Sequence, residues 1–298
     1  MSERLHVCLI GFGEVGETLA RDLKRRGIER LSAWDLEFPD RASAPSRAAA
    51  AAQVQVGADV RDAVAGAAVV ISAVTAAQDV NAAEAAAPHL VAGAYFLDLN
   101  SVSPGVKQET ARVIESAGGL YVEAAIMSPI APKGSASPML LGGRHASAFL
   151  PLARELGFTG AQVFSDRIGR ASAAKMCRSV MIKGMEALLA ESLIAARRYG
   201  VEDTVIDSLR NLFPAENWRA LARYMISRSL IHGVRRAEEM REVAKTVAEA
   251  GLEPWMSSAS ARRQEWAAQF KSSASEEELE AMLDSLLAAQ VNEGESRC

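Results

Sequence analysis

A compact apolar run over residues 5–10 ends in a glycine cluster, Gly11-Phe12-Gly13-Glu14-Val15-Gly16, and a helical stretch follows to about Arg26. A GxGxxG spacing alone says little, because glycines are common in turns. Between a strand and a helix at the amino end, it leaves few folds open. Gly11 allows the tight turn, Gly13 lets a diphosphate approach the backbone, and Gly16 permits close helix–strand packing. The start of the helix adds N–H groups and a positive dipole end. An acidic residue is then expected about 20 residues further on, ending the second strand, to hold ribose hydroxyls. Asp35 stands there. A carboxylate repels a 2′-phosphate, so NAD is the expected cofactor. Arg41 and Arg47 keep NADP open, and FAD is a third possibility. Cofactor contacts are expected from Gly11, Phe12, Gly13, Glu14, Val15, Gly16 and Asp35, with Val74, Asn100 and Ser101 following later strands.

The first half of the chain alternates strand-like and helix-like runs. Strands are expected over residues 5–10, 31–34, 54–56, 67–74, 95–99, 120–126 and 139–141, and helices over 41–53, 76–90 and 104–117. This alternation implies a doubly wound, mainly parallel sheet with helices on both faces. It occupies residues 1–166 as a dinucleotide-binding domain. Residues 167–298 read as all-helical. A proline-free stretch over 171–198 predicts a helix ~40 Å long at the usual rise per residue. Further helices are expected over 202–212, 216–229, 234–250, 254–270 and 275–291, with stop signals at 211–214 and 251–254. Ser275 and Glu278 have capping-box spacing.

Composition narrows the function. The net charge is −4, so no global basic field exists to hold a nucleic acid. No apolar stretch reaches the ~20 residues that cross a bilayer. Cys8, Cys177 and Cys298 are scattered and odd in number, and no His/Asp/Glu cluster has metal-ligand spacing. The expectation is a reduced, cytoplasmic protein without a metal.

Beyond the glycine loop, three segments resemble the β-hydroxyacid dehydrogenases, the superfamily of 3-hydroxyisobutyrate and 6-phosphogluconate dehydrogenases. Asp98-Leu99-Asn100-Ser101-Val102-Ser103-Pro104 resembles the family's D-x-S-T-x-S-P segment. Glu123-Ala124-Ala125-Ile126-Met127-Ser128-Pro129, with Gly134 and Gly142-Gly143 after it, resembles the D-A-P-V-S-G-G substrate stretch. Gly169-Arg170-Ala171-Ser172-Ala173-Ala174-Lys175 resembles the G-x-G-x-x-x-K start of the long interdomain helix. The resemblance covers about the first 200 residues; the helices after them look like an uncharacterised C-terminal domain of the 6-phosphogluconate dehydrogenase type. It implies a Rossmann-type domain, hydride transfer at a small hydroxy acid, and a homodimer built through the helical half. The chain departs from the pattern at Ser179, where the family has asparagine, at Met127-Ser128-Pro129 in place of S-G-G, and at Ile182, where 6-phosphogluconate dehydrogenases carry an acid.

Oxidising an alcohol by hydride transfer needs a base for the hydroxyl proton, and the reverse needs an acid. A lysine does both when burial and neighbouring cations lower its pKa. Lys175 is the candidate. Ser179 and Glu186 fall near its helical face at 100° per residue, with Lys183 to one side. Ser179 reads equally as a hydrogen-bond donor and as a small packing serine. Lys183 reads equally as a carboxylate anchor and as a solvated or salt-bridged lysine. Ser128, before Pro129, suits a substrate carboxylate. His232, expected between two helices, reads as an anion contact or a satisfied loop histidine. The run from Arg235 to Glu242 reads as a solvated, salt-bridged face, and Cys177 as core packing. The rival readings are an imine or ketone reductase on the same fold, and a non-catalytic NAD(H)-sensing protein.

Overall fold

A computed structural model of the chain describes residues 5–209 and 217–295. The stop signal at 211–214, the ends of the two helices flanking it, and Cys298 lie outside the described residues. The structure divides into two compact units, Met1–Met176 and Cys177–Cys298.

The first unit is built on one sheet of eight strands: β1 (Val7–Ile10), β2 (Leu31–Trp34), β3 (Gln55–Val56), β4 (Val69–Ser72), β5 (Tyr95–Asp98), β6 (Leu120–Ile126), β7 (Met139–Gly142) and β8 (Ala161–Ser165). Their order is β3-β2-β1-β4-β5-β6-β7-β8. Every pairing is parallel except β6 with β7. The order reverses between β1 and β4. In such sheets the crevice beyond the carboxyl ends at that point receives the ligand. β1 is apolar throughout and β4 is apolar up to Ser72 because both faces are covered, and all their residues are buried. One core, with Leu9, Leu19, Leu23, Ile71 and Phe149, fills one face; a second, with Cys8, Val70, Phe96 and Ile114, fills the other.

The helices of this unit are α1 (Glu14–Arg25), α2 (Ala44–Ala51), α3 (Val60–Val64), α4 (Asp79–Ala86), α5 (Pro104–Ser116) and α6 (Ala146–Glu155). Ser103 caps α5 by accepting the Val106 N–H, with Pro104 at its first position, as the Ser-Pro pair suggests. Three elements were not legible in the sequence. α3 is only five residues long, α6 carries Pro151, and β8 is an edge strand with Gln162, Val163 and Phe164 exposed. α3 and β8 are too short or too exposed to show a buried periodicity, and in α6 the helical spacing of Ala146, Phe149 and Ala153 is interrupted by Pro151.

α7 (Arg170–Tyr199) starts in the first unit and runs into the second. The second unit adds α8 (Glu202–Leu209), α9 (Trp218–Glu249), α10 (Trp255–Ala267), a 3-10 stretch (Ala268–Ser275) and α11 (Leu279–Glu295). Its core includes Leu193, Ile226, Leu230, Phe270, Met282 and Leu286.

Here several expectations are corrected. The two helices predicted around His232-Gly233 are one 32-residue helix. A Cβ on Gly233 would lie 2.4 Å from the Gln264 carbonyl oxygen, so this glycine marks the close approach of α9 and α10, not a stop. The capping box does not form. Ser275 ends the 3-10 stretch with its hydroxyl donating to the Ser272 carbonyl, and α11 begins after Glu278. Arg236 and Glu242 are buried, so the charged run on α9 is solvated on one side only. Cys177 is exposed, not packed in a core.

Candidate active site

The glycine loop links β1 to α1 under two steric limits. Gly11 has φ +91°, and a Cβ there would lie 2.4 Å from the Ala73 carbonyl oxygen after β4. A Cβ on Gly16 would lie 2.2 Å from the Gly11 carbonyl oxygen. Loop, strand and helix therefore meet at backbone contact. Gly13 is exposed, and a Cβ there would meet nothing within 4 Å, so an incoming group reaches this backbone unobstructed. Gly13 is also the N-cap of α1, and no side chain caps the helix. Glu14 is exposed, Val15 half-buried and Phe12 buried.

Asp35 follows β2 and holds the loop. One carboxylate oxygen accepts the Phe12 N–H at 2.6 Å and the other the Glu37 N–H at 2.9 Å. Each oxygen keeps a second lone pair, and the side chain is half-buried. An open glycine, an uncapped helix start and a carboxylate one strand over fit the diphosphate and ribose of a dinucleotide.

Two strands along, Asn100 locks the carboxyl ends of β4 and β5 together. Its Nδ2 donates to Ser72 Oγ at 2.9 Å, its Oδ1 accepts the Val74 N–H at 2.7 Å, and its own N–H donates to Asp98 Oδ1 at 2.9 Å. Asn100 is thus committed to the scaffold, and Val74 is fixed through its backbone. Ser101, next in the chain, is half-buried, and its Oγ accepts from Lys175 Nζ at 2.6 Å.

Glu123 on β6 sets where α7 begins and so where Lys175 lies. Fully buried, its carboxylate accepts the N–H of Gly169 at 2.7 Å and of Ser172 at 2.6 Å. A remote acid thereby caps the helix and meets its positive end. Lys175 is one turn beyond Ser172. Gly142 on the paired strand makes room: a Cβ there would lie 2.5 Å from Glu123 Oε2. Ser128 follows β6 at the same sheet edge, half-buried, its hydroxyl donating to the Pro129 carbonyl at 3.1 Å.

Behind this edge lies a buried polar cluster that the sequence reading missed. Lys107 on α5 pairs with Asp98 Oδ1 at 2.6 Å, both side chains at most 1% exposed. Tyr121 donates to Asp98 Oδ2 at 2.6 Å, and Thr110 donates to Asp79 at 3.2 Å. Burial and the neighbouring charge of Asp98 raise the Tyr121 hydroxyl well above its ordinary value. Burial, and then the charge of Asp98, push Asp79 up to about 7, while Lys107 opposes the rise. The other Asp79 oxygen has no partner. The missed signal is on α5. Lys107, Thr110, Ala111 and Ile114 share one buried face at helical spacing, and a lysine on such a face needs an acid.

Asp79 carries its own expectation. An acid whose folded pKa stands above its unfolded value stabilises the fold at low pH. That contribution is lost as pH rises from about 4 toward 7. Asp79→Asn should flatten this part of the stability–pH curve in urea titrations between pH 4 and 8. An unchanged slope would show that Asp79 is ionised throughout.

The other predicted substrate residues lie in the second unit. Ser179 is buried. Lys183 Nζ pairs with Glu239, and Arg236 pairs with Glu186 at 2.7 Å. Burial lowers Lys183 below the ordinary lysine range, against the pull of Glu239. His232 Nε2 lies 2.9 Å from an Arg228 guanidinium nitrogen, on α9. Among the described residues no group of three or more His, Cys, Asp or Glu could hold a metal, and no helix is long and apolar enough to cross a membrane.

Comparison with known proteins places the chain in a family. Residues 6–164 match the NAD binding domain of 6-phosphogluconate dehydrogenase, and residues 196–267 match a domain of unknown function. A conserved hypothetical protein from Sinorhizobium meliloti 1021 has a similar structure, with TM-score 0.72 and 36% identity over 96% of each chain. Human mitochondrial 3-hydroxyisobutyrate dehydrogenase is 22% identical over 73% of this chain and 65% of its own length. The Mycobacterium tuberculosis 3-hydroxyisobutyrate dehydrogenase, studied with L-serine, shares the fold, with TM-score 0.69 and 19% identity over 95% of this chain and 99% of its own. The first domain match alone spans more than half of the chain, from just before β1 into β8. The chain belongs to the β-hydroxyacid dehydrogenase superfamily, as an NAD(P)-binding member with a helical C-terminal domain of unknown function.

Proposed function

We propose that the chain transfers a hydride between a small hydroxy acid, or its keto or semialdehyde form, and a nicotinamide cofactor, with Lys175 exchanging the hydroxyl proton. The observation that carries this reading is the bond from Lys175 Nζ to Ser101 Oγ, 2.6 Å long. It holds an ammonium group at the sheet edge that also bears the glycine loop. The cofactor, when bound, supplies the hydride acceptor or donor. The chain's own groups do the rest. The Gly11–Gly16 loop and Asp35 bind and orient, Asn100 keeps the β4 and β5 ends in register, and Lys175 moves the proton at the substrate oxygen. Ser128 is the first-unit group that suits the substrate carboxylate. Lys183 and His232 already face Glu239 and Arg228, so the reading does not depend on them. A homodimer through the second unit belongs to the same proposal.

A panel of 2- and 3-hydroxy acids, followed by absorbance at 340 nm, tests the activity. NADH binding without turnover on any member would favour the sensing role instead. Cofactor choice is a separate expectation. With Asp35 on the ribose, NADH should bind at least about tenfold more tightly than NADPH, because like charges brought together cost several kcal/mol. Asp35→Ser should narrow that ratio in fluorescence titrations. Tighter NADPH binding to the native chain would remove Asp35 from the ribose.

A further inference from the structure

The second unit holds a groove that the proposed reaction does not use. It lies between α9 and α10, has a volume of about 490 Å³, and is lined by Arg241, Lys245, Arg262 and Ser258 over a floor of small apolar residues that includes Ala248 and Pro254. This is ample for a small molecule. Three cations and no acid line it, in a chain whose net charge is −4.

The cations are placed by helix geometry. Arg241 and Lys245 are one turn apart on α9, and Arg262 comes across from α10. Arg241 is tied on one side to Glu265 at 2.8 Å, and Lys245 to Glu242 at 2.6 Å; neither acid lines the groove. Arg241 and Glu265 are both exposed, a pair that holds a side chain in place but binds weakly; Glu242 is buried and takes one of the three donors of the Lys245 ammonium. The start of α10, where Pro254 and Ser258 line the groove, has no side-chain cap and no acid in its first turn. Its dipole therefore adds to the same positive field.

We propose that this groove binds the phosphate of a small phosphate ester, with the ester's apolar part over Ala248 and Pro254. The donor count favours phosphate over carboxylate, since Glu265 and Glu242 offset two of the three charges but leave N–H groups of each cation to donate. Two guanidinium forks and an ammonium suit a group with three acceptor oxygens, whereas a carboxylate offers only two. The groove lies wholly within the matched domain of unknown function and gives that domain a ligand-binding role. The proposal stands whether or not Lys175 is catalytic.

Phenyl phosphate is the probe, titrated calorimetrically into the full chain already saturated with NAD so that the dinucleotide site cannot take it. One phenyl phosphate should bind per chain, more tightly than inorganic phosphate, and phenol should not bind. Arg262→Ala should weaken binding about tenfold, the size of one charge-assisted hydrogen bond. Ala248→Trp, which fills the groove from an exposed position, should abolish it while NAD affinity stays unchanged. Absence of saturable heat, or equal affinity in both variants, would overturn the proposal.

Discussion

Replacing Lys175 with alanine is expected to lower kcat by about 10²–10⁴-fold, the usual contribution of a positioned general acid or base. Affinity for NADH should be unchanged, because the glycine loop and Asp35 are anchored separately, Asp35 by the backbone N–H groups of Phe12 and Glu37. Lys175→Arg separates charge from proton exchange. A guanidinium keeps the positive charge but does not release a proton near neutrality. Both variants should therefore lose turnover if the proton transfer is the function of the residue. Retained kcat in Lys175→Arg alone would make it an electrostatic anchor. Retained kcat in Lys175→Ala would take it out of the mechanism. Kinetics with the best hydroxy acid of the panel, alongside NADH titrations, decide the matter.

Lys107→Met should be the most destabilising of the substitutions considered. Removing one partner of a buried ion pair costs about 3–5 kcal/mol, because the other charge stays in a dry interior. Asp98 would keep the Tyr121 hydroxyl and the Asn100 N–H, but lose the Lys107 ammonium at 2.6 Å. The double variant Lys107→Met/Asp98→Asn should recover part of the loss, since a neutral amide is cheaper to bury than an unpaired carboxylate. Urea unfolding of the four proteins measures the coupling. A loss below about 1 kcal/mol in Lys107→Met, the scale of a surface pair, would mean that water reaches Asp98.

The sheet was legible because its central strands are mostly apolar runs that the chain must bury on both faces. Val7–Ile10, Leu31–Trp34 and Val69–Ser72 are short, continuous and bounded by turn residues. The glycine loop was legible for a different reason: its residues answer local backbone limits, visible in spacing alone. Helix ends and continuity in the second unit were less so. Gly233 carries the same local signal whether it ends a helix or lets two helices touch, and only the position of Gln264 on α10 separates the cases. Lys107 pairs with Asp98 only nine residues away, but across the turn from β5 to α5, so the pairing shows only once that turn has folded; the role of Glu123 is hidden because its partners are distant in sequence. Glu123 and Gly169 are 46 residues apart, and nothing local tells that the acid caps the helix.

By itself, then, the order of residues determined the alternating strands and helices, the diphosphate-binding turn, Asp35 at the end of β2 and the lysine at the start of a long helix. These follow from periodicity, glycine stereochemistry and spacing, which act over a few residues at a time. Tertiary structure alone decided that Lys175 meets Ser101, that Glu123 fixes the helix carrying it, and that Asp98, Lys107 and Tyr121 share one dry cluster. Such contacts depend on which distant segments become neighbours, and the burial that gives them their strength exists only once the chain has closed around them.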